Sequence, residues 1–94
     1  MLTSTARFET GQGAKYLALL CKHFAHKVEA VYAGDHGDLR FAFGSVALDA
    51  DAEGLLIKVD APSVEDLATG RDVIESHLLR FAFREEGAPL VWSS

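Results

Sequence analysis

The chain has 94 residues, 49% of them hydrophobic and 24% charged, with a net charge of −5. That suits one globular domain with one core, and it excludes both disorder and a bilayer-spanning helix, which needs roughly eighteen or more apolar residues in a row. The acidic balance also argues against general nucleic-acid binding, which rests on clustered Lys and Arg. A lone cysteine, Cys21, excludes an internal disulfide and fits a reducing compartment. The opening MLTSTARFET lacks the apolar stretch of a secretory signal, so the expected location is the cytoplasm.

Charge is unevenly spread. Residues 1–28 carry Arg7, Lys15, Lys22 and Lys27 against Glu9, a net +3, which leaves −8 for the remainder. The first helix should form a basic island on an acidic body.

Residues 2–8 alternate as a strand. Thr10 can cap a helix over 11–26, in which Leu17, Leu20, Cys21 and Phe24 form a buried stripe. Residues 28–33 read as a strand, and GDHGD at 34–38 reads as a turn. Leu39, Phe41 and Phe43 alternate as the next strand, and Gly44–Ser45 should turn the chain. Val46, Leu48 and Ala50 form another, DAEG at 51–54 turns again, and Leu55, Ile57, Val59 and Ala61 form the last. Ser63 then caps a second helix with Val64, Leu67, Arg71, Ile74, Leu78 and Phe81 along its inner stripe. The order strand, helix, four strands, helix predicts a single α+β domain over 1–94, an antiparallel sheet with both helices on one face. Leu17, Leu20, Phe24, Phe41, Phe43, Leu48, Ile57, Leu67, Ile74, Leu78 and Phe81 should form the core.

CKHFAHK, residues 21–27, is the most chemically loaded stretch. Thiolate and imidazole are good zinc ligands, but at roughly 100° per residue Cys21 and His23 point about 160° apart on a helix. Cys21 is better read as a small buried hydrophobe. His23 and His26 share a side and are weak metal candidates that still lack a third ligand, for which His36, His77 or Glu75 could serve. Cations at the end of a helix also simply stabilise its exposed carbonyls. A different grouping sets His23 and Lys27, beside Tyr16, against His77, Arg80 and Arg84 of the second helix. Facing flanks would make a polar groove suited to a carboxylate or phosphate. The alternative is that Arg80 and Arg84 pair with Glu75, Glu85 or Glu86 on the surface. No nucleophile elbow, phosphate cradle or cofactor motif occurs, so a binding module is favoured over an enzyme. The mixed outer sheet face and an exposed Trp92 suggest a homodimer.

LTSTARF, YLALLCKHFAHKVE, FAFGSVALDADAEGL and HLLRFAFREE together resemble the bacterial family called domain of unknown function 2218. The resemblance covers residues 2–86 and implies a small bacterial α+β domain with no assigned reaction. The element order is similar to the repeat unit of the TATA-box-binding-protein fold. The resemblance also implies a neighbourhood of siderophore-interacting flavin reductases, hence a siderophore-pathway partner and iron metabolism. Cys21, His23, His26, Lys27, His77, Arg80 and Arg84 stand at the family's characteristic positions, without a role attached.

Overall fold

The structure is a computed structural model that describes residues 1–82 and 90–93. Strand β1 (Leu2–Glu9) precedes helix α1 (Gly13–Phe24). Strands β2 (Glu29–Ala33), β3 (His36–Phe41), β4 (Gly44–Asp51) and β5 (Gly54–Ala61) follow, and helix α2 (Val64–Phe81) closes the order. The strands form one antiparallel sheet in the order β1-β5-β4-β3-β2. Both helices cover its apolar face, as the alternation of the strands requires, and the arrangement is compatible with a TATA-box-binding-protein-like repeat. No helix among the described residues is long and apolar enough to cross a membrane.

The hairpin turns differ from the sequence reading in length or in place. GDHGD is not a five-residue turn. Only Gly34–Asp35 turns, with Gly34 at φ 59°, and Ala33 pairs directly with His36. A left-handed first residue suits the twist of a two-residue hairpin, and glycine adopts it without steric cost. The strand predicted to run to Phe43 likewise stops at Phe41, because Ala42–Phe43, not Gly44–Ser45, forms the next turn.

Helix α1 starts two residues later than expected. The Thr10 hydroxyl accepts the Gln12 N–H at 3.1 Å, so it closes a turn ahead of the helix instead of capping it. At the other end the Phe24 carbonyl accepts from both Lys27 and Val28 N–H, which takes His26 and Lys27 out of the helix and into a turn. On α2 the Ser63 side chain does accept the Asp66 N–H, the expected cap.

Leu17, Leu20, Phe24, Leu48, Ile57, Leu67, Ile74 and Leu78 are buried as predicted, joined by Phe8, Tyr16, Leu39, Val46, Leu55 and Val59. Burying each large aliphatic side chain contributes about 1.5–3 kcal/mol. Phe41, Phe43 and Phe81 are only half-buried, because they stand at a strand end, in a turn and in the last turn of α2. Val64, the first residue of α2, is exposed. Cys21 is fully buried against β3. It fits because residue 37 is glycine: a Cβ there would stand 2.7 Å from the Cys21 Sγ. Burial, and secondarily Asp38, pushes the thiol pKa up, which makes Cys21 a poor nucleophile.

Trp92 is not exposed. It packs on the core edge, and its indole N–H donates to Glu75 Oε1 at 2.9 Å while the Leu90 N–H donates to Glu75 Oε2. Ser93 then exchanges two backbone hydrogen bonds of 2.8 Å with Thr5, extending β1's outer edge by one bridge.

Candidate functional site

Helix geometry carries His23 to the last turn of α1 and His77 to the inner flank of α2, and the two rings meet with centroids 4.9 Å apart. Phe24 lies 5.0 Å from His23 and 4.8 Å from His77, while Phe81 and Phe41 extend the aromatic floor. The pairing arises because α1 and α2 both lie on the sheet and touch along one seam.

The two imidazoles have different partners. His77 Nδ1 lies 2.7 Å from the Val73 carbonyl. A carbonyl only accepts, so Nδ1 carries the proton and donates it, and in the neutral ring Nε2 keeps a lone pair. His23 Nε2 is buried and has no hydrogen-bond partner among the described residues. Burial holds the His23 pKa below its ordinary value of 6.5, and His77, Lys27, Arg80 and His26 add to the effect through charge repulsion. Among the described residues neither Lys27 nor Arg80 has a carboxylate partner.

Of the residues the sequence nominated, His23 and His77 are brought into contact. Lys27 and Arg80 stand close enough to act on His23 electrostatically. Tyr16 is not part of the flank: it is buried in the core at 3% exposure, its ring edge-on to Phe8. His26 is exposed in the turn after α1 and makes no ring contact with His23. Arg84, Glu85 and Glu86 lie outside the described residues. Glu75 anchors Leu90 and Trp92 instead of pairing with Arg80. No three His, Cys, Asp or Glu side chains among the described residues are placed to hold a metal ion.

Reading GDHGD as a turn missed a second cluster. Because the turn is only two residues, His36 and Asp38 fall on the same outer face of β3, and the β3–β4 register puts Asp49 opposite His36. His36 Nδ1 lies 2.6 Å from Asp49 and Nε2 2.9 Å from Asp38. The i, i+2 spacing of His36 and Asp38 was the available signal. Beside them Arg7 contacts both Asp51 oxygens at 2.9 Å, and Asp51 also accepts the Glu53 and Gly54 N–H groups of the β4–β5 turn. Asp49 and Asp51 are therefore engaged, not merely solvated.

Hydrogen bonds that the protonated His36 ring donates to Asp49 and then to Asp38 hold its pKa above 6.5. The folded state thus binds the proton more tightly than the unfolded chain. Its stabilisation is complete below pH 6.5 and is lost as pH rises through the higher folded value. Asp49→Asn should lower the His36 pKa and flatten that decline. Histidine NMR titration alongside denaturation at several pH values reads both, and an unchanged His36 pKa would contradict the assignment.

The decisive comparison is with protein families. A family model described as "Uncharacterized protein conserved in bacteria (DUF2218)" matches residues 5–93. The chain belongs to this family. The chain is also similar to PA4090 from Pseudomonas aeruginosa, whose NMR structure superposes with a TM-score of 0.84 at 30% identity, covering 99% of this chain and 96% of that one. No curated protein matches. In this chain the fold brings His23 of CKHFAHK and His77 of α2 together at one seam, and the resemblance read from those segments is confirmed at the level of family and fold.

Proposed function

We propose that this DUF2218 domain is a non-catalytic binding module whose site is the His23–His77 seam, and that it takes a small anion such as a carboxylate, a phosphate or an anionic metal chelate. The observation that carries the reading is the buried His23 Nε2, which has no hydrogen-bond partner among the described residues. A buried polar atom without a partner costs about 1–3 kcal/mol, a cost that a bound acceptor would remove once the ring is protonated. Lys27 and Arg80, without carboxylate partners among the described residues, supply further positive charge at the same place. The aromatic floor of Phe24, Phe41 and Phe81 keeps the local dielectric low, which strengthens any ion pair formed there.

The sign of the pH dependence follows. In the free protein the His23 pKa lies below 6.5; a bound anion raises it, so binding takes up a proton. Affinity should therefore increase as pH falls from neutrality and level off below the free pKa, by about tenfold for each unit the anion raises that pKa. Histidine NMR titrations with inorganic phosphate, citrate and ferric citrate test this; the last follows the resemblance's link to iron. The expected result is a raised His23 pKa, weakened by Lys27→Ala and by Arg80→Ala. A His23 unmoved by all three ligands would sink the reading.

One observation favours a second reading. An imidazole whose Nδ1–H is held by a carbonyl, as in His77, is the arrangement that metal-ligating histidines use. Stoichiometric Zn²⁺ binding that suppresses protonation of His23 would support that reading over the anion.

A further inference from the structure

The sheet has two edges, and they are treated differently. At the β1 edge Thr5 and Ser93 exchange both of their backbone hydrogen bonds. At the other edge β2 has β3 as its one neighbour in the sheet among the described residues. Edge strands are usually protected by proline, lysine or a bulge. β2 reads EAVYA, has none of these, and pairs with β3 in unbroken register. It also presents Val31 and Tyr32 at 65% and 38% exposure.

Which of its backbone groups are free follows from the hairpin. In a two-residue hairpin the pair that flanks the turn, here Ala33 and His36, exchanges hydrogen bonds, and the ladder then alternates. Glu29, Val31 and Ala33 therefore direct their N–H and C=O groups toward β3. Ala30 and Tyr32 direct theirs out of the sheet. The same rule applied to the other hairpins turns Thr5 outward from β5, where Ser93 is found.

We propose that two copies of this chain associate by antiparallel pairing of β2 with β2, about a two-fold axis at Val31. The strand is its own complement in that register. Ala30 of each copy faces Tyr32 of the other, and each of these pairs exchanges two backbone hydrogen bonds, four in all. Val31 meets Val31, so the most exposed apolar side chain of the strand is covered. Glu29 faces Ala33, and no like charges stand opposite one another. A heterologous match of β2 to the β1 edge of another copy would collide with the Thr5–Ser93 bridge, so pairing closes at two instead of propagating into a fibre. The result is a continuous ten-stranded sheet. A five-residue edge buries little area, so the dimer is weak and depends on concentration.

Sedimentation equilibrium of the full chain from about 20 µM to about 1 mM tests this, a range that spans weak association. The mass should climb from 10.2 kDa toward twice that value. Val31→Lys places two cations at the axis and should weaken association at least about tenfold. Mixing Val31→Lys with Val31→Glu should restore it as a heterodimer. Tyr32→Pro removes an outward N–H, so circular dichroism should show the fold intact while association is lost. A monomer across the whole range overturns the proposal and leaves the edge open to a strand from another protein. A dimer that all three variants leave unchanged overturns it as well, because the contact would then lie elsewhere.

Discussion

Replacing Phe24 with alanine should lower the free energy of unfolding by about 3–5 kcal/mol. Phe24 is 4% exposed and ends α1, where its ring meets Phe41 at 5.1 Å, His77 at 4.8 Å and His23 at 5.0 Å. The cavity left behind would sit between two helices and a strand, each fixed by its own backbone bonds, so it could collapse only in part. Domains of this kind are stable by about 5–15 kcal/mol in total, so a large share would be lost. Urea denaturation measures it, and a loss below about 1 kcal/mol would mean the seam repacks. The same change should let the His23 pKa climb toward 6.5, because burial is the main cause of its depression.

Glu75→Ala is expected to cost about 1.5–3 kcal/mol, in the range of hydrogen bonds to a charged acceptor. It removes the acceptors of the Leu90 and Trp92 N–H groups at once, at 3.0 and 2.9 Å. Trp92 is half-buried with its indole N–H held, so release should shift its fluorescence to the red as water reaches the ring. Glu75→Gln keeps one accepting oxygen and should fall between the two. Unchanged emission in Glu75→Ala would show that packing alone holds the segment.

The architecture was legible because alternation and helical periodicity follow from side-chain direction. Leu17, Leu20 and Phe24, or Leu55, Ile57 and Val59, can only be placed one way. Turn lengths were less legible. GDHGD offers two glycines and two aspartates, and composition alone does not say that Gly34–Asp35 suffices. That single ambiguity hid the contact of His36 with Asp38 and Asp49, since a residue in a turn has no defined face. At the site, the spacing put His23 on one flank of α1 and His77 on one flank of α2 but left open whether the flanks face; the seam between the helices brings the two rings together. Tyr16 failed because a tyrosine seven residues before His23 fits either the flank or the core stripe, and packing against Phe8 decides for the core. Trp92 failed for a related reason: its anchor, Glu75, is seventeen residues away and reads as a surface carboxylate.

Strand β1 has no local partner. Leu2 pairs with Ala61 and Glu9 with Gly54, and the bridge from Thr5 reaches Ser93. The other strands close onto their neighbours through two-residue turns, at little loss of chain entropy. On the ribosome, then, the segment made first among these strands is the last that can be secured. Ser4, Ala6 and Phe8 have no strand to pair with until β5 has emerged, and the β1 edge is not sealed until Ser93 arrives.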